Sequence, residues 1–182
     1  MRTEQLAIDG LLLLRPRVFS DERGSFMETW NERTFLEQVG DHRFVQDNES
    51  SSRKGVLRGL HFQLAPHAQG KLVRAVAGAV LDVCVDIRPG SASYGKHVKV
   101  LLTAADRTML WIPSGFAHGF VSLEENTVFT YKCTAPYHPA SERTIRWNDH
   151  DLAIDWGIAD PIVSEKDRNG FPFAGTWAAQ TS

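Results

Sequence analysis

Short apolar or β-branched runs alternate with turn residues through most of the chain: Lys71 to Ala77 before Gly78, Val80 to Ile87 before Pro89-Gly90, His97 to Thr103, and Met109 to Ile112 before Pro113-Ser114-Gly115. The rhythm continues through Ala117 to Leu123, Val128 to Thr134 and Arg143 to Trp147. Regular short strands joined by tight turns predict an all-β fold, a sandwich or jelly roll. One helix is expected over Asn31 to Val39, where Phe35, Leu36 and Val39 share a face, Thr34-x-x-Glu37 offers a capping box and Gly40 ends the run. Being amphipathic, it should pack on the outside of a sheet. The ends, 1–3 and 174–182, carry little pattern.

Alternation within strands locates side chains. In Val80 to Arg88, the aliphatics Leu81, Val83, Val85 and Ile87 share one face and leave Asp82, Cys84 and Asp86 on the other. Alternation alone leaves open whether that carboxylate row faces water or an interior. The runs Gly55-Val-Leu-Arg58-Gly-Leu-His61-Phe-Gln63 and Gln69-Gly-Lys71-Leu-Val-Arg74 set an arginine, a histidine and a lysine among strand residues, where a dry core has Val, Ile or Leu. A polar interior that binds an anion is expected, which favours a ligand-binding barrel over a dry sandwich. Arg58 and His61 are three apart, so strict alternation would put them on opposite faces; a bulge is predicted at Gly59.

At 182 residues the chain has the length of one domain with a sizeable core, and no linker-like run divides 1–182. Its 20 Lys and Arg against 22 Asp and Glu give a net charge of −2, which argues against nucleic acid or an anionic membrane as the main partner. The apolar run Leu11 to Leu14 is too short for a signal-peptide core or a membrane span, so a cytoplasmic protein is expected. Cys84 and Cys133 lie far apart without metal-ligand spacing and read as buried free thiols.

Pro113-x-Gly115-x-x-His118 matches the second cupin motif, in which a turn delivers a histidine to the mouth of a β-barrel, but the first motif, with its HxH pair and following Glu, is missing. Transition metals in such barrels need about three or four converging imidazole and carboxylate ligands. Only His61 and His118 are placed to converge, so no metal is expected. His42, His67, His97, His138 and His150 lie in turn-like contexts and are read as surface residues.

From about residue 5 to 173 the chain resembles the dTDP-4-dehydrorhamnose 3,5-epimerase family of sugar-nucleotide cupins. The likeness rests on Asp21-Glu-Arg23-Gly24-x-Phe26-x-Glu28, Gln46-Asp47-Asn48-x-Ser50, Gly55 to Gln63, Gln69 to Arg74, Asp82 to Arg88, Leu110 to Phe120, Tyr131-Lys132, Trp147-Asn-Asp149 and Ser164-x-Lys166-Asp167. Departures are minor: Gly157 where the family often has Pro and Val163 where Leu is common, neither expected to touch substrate. The resemblance implies a cupin-type jelly-roll barrel with one or two short peripheral helices. It also implies an epimerase that inverts C3 and C5 of dTDP-4-dehydro-6-deoxy-D-glucose, giving dTDP-4-dehydro-L-rhamnose. Both carbons flank the C4 ketone, so either proton leaves its charge on the same enolate oxygen, and no organic cofactor is required.

The resemblance assigns roles. His61 is the base and Asp167 orients it; Tyr131 is the acid across the ring, and Lys71 stabilises the enolate, while Asp82, if it faces the interior, would hold Lys71 in place and keep it charged. Arg23, Glu28, Gln46, Asp47, Asn48, Arg58, His118, Glu142 and Lys166 fall at substrate-binding positions, the two arginines suiting pyrophosphate. Phe19 and Tyr137 are candidate stacking partners for thymine. Homodimers with N-terminal strands crossing to the neighbour are implied, so Arg23 and Glu28 would complete the other subunit's site. Alternatives are an epimerase acting at C5 or C3 alone, a metal-dependent cupin enzyme, and a non-catalytic sugar-nucleotide binding module.

Overall fold

The computed structural model describes residues 1–175. In chain order its elements are β1 (Arg2–Gln5), β2 (Leu12–Arg15), β3 (Val18–Asp21), β4 (Gly24–Met27), α1 (Glu32–Gln38), β5 (Gln46–Ser52), β6 (Val56–Gln63), β7 (Lys71–Ala77) and β8 (Ala79–Asp86). There follow β9 (His97–Thr103), β10 (Met109–Ile112), β11 (Phe116–Ser122), β12 (Thr127–Cys133), β13 (Glu142–Thr144), β14 (Ile162–Val163) and α2 (Glu165–Arg168). One sheet has the order β1-β2-β10-β7-β12-β5 and the other β13-β6-β11-β8-β9, with β14 added to β6. They face each other as a cupin-type jelly-roll barrel, and β3 and β4 form a separate hairpin.

The alternating residues of both sheets build the core between them: Val73, Ala75, Leu110, Ile112 and Phe129 from one, Val80, Cys84, Leu102, Phe116 and Phe120 from the other. The outer face of the second sheet is covered by the C-terminal segment, where Ile145, Leu152 and Trp156 pack on Leu57, Val83, Val85 and Val121. On the outer face of the first sheet, Phe35 of α1 joins Leu14, Leu72, Met109 and Trp111. The row Asp82, Cys84 and Asp86 is therefore the one turned toward the space between the sheets, and all three residues are buried there. Asp86 is locked by Arg88, Ser91 and Ser93. The cap of α1 differs from the expected capping box: Asn31 is the N-cap and its side chain accepts from Thr34 N at 3.1 Å, so Thr34 lies inside the helix. The N-terminus, expected to lack pattern, forms β1 through the pairing of Arg2 with Arg15. The expectation for the C-terminal end falls, from residue 176 on, outside the described residues.

The predicted irregularity in β6 is present. Pairing with β11 shifts between His118↔His61 and Phe120↔Arg58, so Leu57 and Leu60 both join the outer cluster while Arg58 and His61 line one cavity. Gly59 has φ +134, and a Cβ there would lie 2.5 Å from Gly119 Cα and 2.9 Å from His118 O. The two backbones can approach only as glycines. Gly59→Ala is expected to destabilise the fold by roughly 2–4 kcal/mol, the sum of backbone strain and overpacking, read as a lower urea midpoint with unchanged slope.

Candidate active site

A cavity of about 630 Å³ opens between the two sheets at the end of the barrel where β6, β7, β11 and β12 come together. His61 and Arg58 reach it from β6 and His118 from β11, on one wall; Lys71 from β7 and Tyr131 from β12 come from the other. Gln46 and Asn48 of β5 extend this second wall, and Glu142, Tyr137 and Lys166 surround the mouth.

His61 Nε2 meets Asp167 Oδ1 at 2.5 Å; the imidazole side chain is 24% exposed and the carboxylate 3%. Asp167 arrives on a strap: β14 pairs in parallel with β6, and Ser164 caps α2 by accepting from Asp167 N at 3.1 Å. Burial by itself would raise the Asp167 pKa, but the bond and charge of His61, with the Ser164 hydroxyl and the Gly59 N–H, bring it below the usual carboxylate range. A carboxylate anchored on Nε2 leaves Nδ1 as the remaining ring nitrogen for chemistry.

Lys71 is half-buried, its ammonium has no hydrogen-bonded partner among the described residues, and burial pushes its pKa down. The charges of Asp82 and Glu142 act in the opposite sense. Cys133 is its direct neighbour on β12. The Tyr131 pKa is raised, chiefly by burial, so the phenol keeps its proton near neutral pH. At the mouth, Glu142 joins two groups: Tyr137 Oη donates to its Oε2 at 3.0 Å and Lys166 Nζ to its Oε1 at 2.9 Å. Burial works against the Glu142 charge, but Lys166, Tyr137 and His61 outweigh it and lower the pKa. Arg58 is steadied by Ser52 Oγ at 3.2 Å and Ser51 O at 3.3 Å.

Several expected residues lie elsewhere or do something different. Asp82 bonds His118 Nε2 at 2.8 Å and accepts from Cys84 Sγ at 3.6 Å, so it reaches Lys71 by charge and not by a hydrogen bond. Asp47 alternates to the outer face of β5 and pairs with Lys132 at 2.9 Å. Phe19, Arg23 and Glu28 stand away from the chain's own cavity: Arg17 lies over the Phe19 ring, Arg23 pairs with Asp21, and Glu28 accepts from Asn31 Nδ2. Val163, not expected near substrate, lines the cavity, as do Gln69, Cys133 and Ser164. The Ser164-x-x-Asp167 spacing is a cap signal that the sequence carried; Cys133 shares the face of Tyr131, two residues away. Among the described residues no three His, Cys, Asp or Glu side chains gather as a metal site.

The arrangement is suited to moving protons next to a carbonyl. An imidazole faces a protonated phenol across the cavity, and an ammonium between the sheets can neutralise an oxyanion.

A sequence profile described as dTDP-4-dehydrorhamnose 3,5-epimerase matches residues 5–174. The Pseudomonas aeruginosa dTDP-4-dehydrorhamnose 3,5-epimerase is 52% identical over 176 residues, 96% of this chain and 97% of that protein. Its Escherichia coli counterpart is 53% identical over 173 residues, 94% and 92% of the two chains. The crystal structure of dTDP-6-deoxy-D-glucose-3,5-epimerase from Legionella pneumophila in complex with dTDP-4-keto-L-rhamnose matches with a TM-score of 0.94 at 44% identity, covering 98% of this chain and 96% of that one.

The state of Lys71 can be measured. After reductive ¹³C-methylation, its signal is expected to titrate at lower pH than a free lysine side chain, about 10.4, because burial favours the neutral amine. Asp82→Asn removes a charge that favours the ammonium and should move that midpoint lower still. A midpoint unchanged by Asp82→Asn would remove the electrostatic link.

Proposed function

The chain belongs to the dTDP-4-dehydrorhamnose 3,5-epimerase family, and on that premise we propose that it inverts C3 and C5 of dTDP-4-dehydro-6-deoxy-D-glucose to give dTDP-4-dehydro-L-rhamnose. The observation that carries the reading is the convergence of His61, Lys71 and Tyr131 on one cavity from two opposed sheets. Inversion needs a base on one face of a carbon and an acid on the other, and the two walls supply them. His61 takes the proton through Nδ1, the nitrogen that Asp167 leaves free, and Asp167 stabilises the imidazolium. The electron pair moves to O4, where the Lys71 ammonium meets the developing charge between the two sheets. Tyr131 returns a proton from the far side, for which its raised pKa suits it. Both carbons share the enolate oxygen, so one set of groups serves both inversions.

The nucleotide end of the substrate fits the mouth. Arg58 and Lys166 are cations suited to the pyrophosphate, and Tyr137 offers a ring to the base. The protein is further proposed to act as a homodimer in which the β3–β4 hairpin, with Phe19, Arg23 and Glu28, completes the partner's cavity. Phe26 at 70% exposure and Phe19 at 49% on that hairpin support this, being large aromatics left exposed in one chain. Two unpaired thiols and a nucleotide-sugar substrate fit a cytoplasmic location; no helix among the described residues is long and apolar enough to cross a membrane.

Incubation with the 4-keto sugar nucleotide in heavy water is expected to place deuterium at both C3 and C5 with inversion. His61→Ala should slow exchange at both carbons by a factor on the order of 10²–10⁴ while remaining folded. Label at one carbon would instead indicate a single-site epimerase, and no label would end the epimerase reading. The shared site has its own test: Arg23→Ala and His61→Ala proteins, each weak alone, are expected to recover activity when unfolded and refolded together. Failure to recover would place the hairpin outside the site.

A further inference from the structure

The segment Ala135 to His138 links β12 to the short 3-10 turn Pro139–Ser141 and has no strand neighbour. Four consecutive residues of it are held by glutamine side chains. Gln69 Nε2 donates to Ala135 O at 2.7 Å, and Gln63 Nε2 donates to Pro136 O at 3.2 Å. Gln46 Oε1 accepts from Tyr137 N at 2.8 Å, and Gln63 Oε1 accepts from His138 N at 2.7 Å. The three glutamines come from β5, from the end of β6 and from the turn before β7, so parts of both sheets grip one loop.

Gln63 is the centre of the arrangement. It is 7% exposed and also donates to His67 O at 2.6 Å, tying the loop after β6 to the loop after β12. The His67 and His138 rings stack across that junction, with centroids 3.8 Å apart and planes 4° from parallel, although the sequence marked both as surface residues. A loop without a ladder must still satisfy its backbone groups, and a primary amide, which carries both donors and an acceptor, can replace a missing strand. A fully satisfied buried amide fixes geometry, whereas its removal strands two carbonyls and an N–H.

We propose that Gln63, with Gln46 and Gln69, clamps residues 135–138 and so fixes Tyr137 in the attitude that receives the nucleotide base. Gln63 is a positioning residue: it acts through Tyr137 and the mouth, while His61, Lys71 and Tyr131 are set by strand pairing in which its side chain takes no part. A loop already ordered pays less on binding, so the clamp works on affinity and leaves proton transfer alone. The inference rests on the reading of Tyr137 as a base-contacting residue of the epimerase.

In the wild-type protein the Tyr137 and His138 amides are expected to exchange slowly with heavy water despite lying in a loop; fast exchange of the His138 amide overturns the clamp without any variant. Gln63→Met preserves length and bulk but makes none of the three bonds. Its Kd for dTDP by calorimetry, and its KM for the ketosugar nucleotide, should each rise on the order of tenfold, with kcat kept within about threefold. Should that protein fail to fold, Gln63→Glu keeps the acceptor for His138 N, sets a carboxylate oxygen against His67 O and Pro136 O, and is expected to give the same split. Wild-type dTDP affinity in a folded variant, or a fall in kcat with KM unchanged, overturns the clamp and leaves the epimerase reading intact. If the wild-type protein itself binds no dTDP, the nucleotide reading falls and the clamp with it.

Discussion

An ammonium ion held between two sheets is the constraint around which this barrel is built. Moving such a charge out of water costs several kcal/mol unless a partner offsets it, and Lys71 has no hydrogen-bonded partner among the described residues. The compensation is diffuse. Asp82 lends its charge from behind while its hydrogen bond goes to His118. A carboxylate paired directly with Lys71 would satisfy the ammonium and leave nothing to attract an oxyanion; a carboxylate engaged by His118 keeps the cation electrostatically tolerable but short of a partner. In the proposed reaction the position left open is the one an enolate oxygen would take, so stabilisation would be reserved for the charge that develops during reaction.

The placement of His61, the proposed base, depends on a separate device. His61 shares a cavity with Arg58 because β6 slips by one residue at Gly59, and the slip is possible because Gly59 and Gly119 present bare backbone to each other. The carboxylate that anchors His61 comes from over a hundred residues later, on a strap whose two-residue strand adds to the same β6. One strand therefore carries the imidazole, supports the element that orients it and, two residues further, supplies the glutamine that holds the loop at the mouth. Its outward residues, Leu57, Leu60 and Phe62, are anchored in the second core cluster. Burial on that side makes the polar display on the other affordable.

What could be read in advance follows from the same physics. Strands that read as short apolar or β-branched runs, such as Lys71–Ala77, His97–Thr103 and Met109–Ile112, were legible to the residue. β5, with the sequence QDNESSS, was not predicted as a strand, since its inner face lines a polar cavity and its outer face is polar too, which erases the period. The family motifs pointed to His61, Lys71, Tyr131 and Asp167, but partnerships between distant segments could not be deduced from spacing. Asp82 with His118, and Glu142 bridging Tyr137 and Lys166, exist only once the sheets are closed. The sense of Asp47 was likewise fixed by register: a one-residue step from Gln46 turns it toward Lys132 on the outside.

The two ends of the cavity are built by different means, and that difference has a functional consequence. His61, Lys71 and Tyr131 project from strands paired on both sides, so their mutual geometry is as rigid as the sheets and changes little when loops are altered. Tyr137, Lys166 and Glu142 stand on a loop, a one-turn helix and a three-residue strand, held by side-chain bonds that can be gained or lost one at a time. Proton transfer demands the first kind of support, because displacement of an ångström or less is costly when a proton moves between fixed groups. The nucleotide recognition proposed for the mouth tolerates the second. A barrel divided in this way can have its nucleotide preference retuned through the loops while the ketone chemistry stays fixed in the sheets.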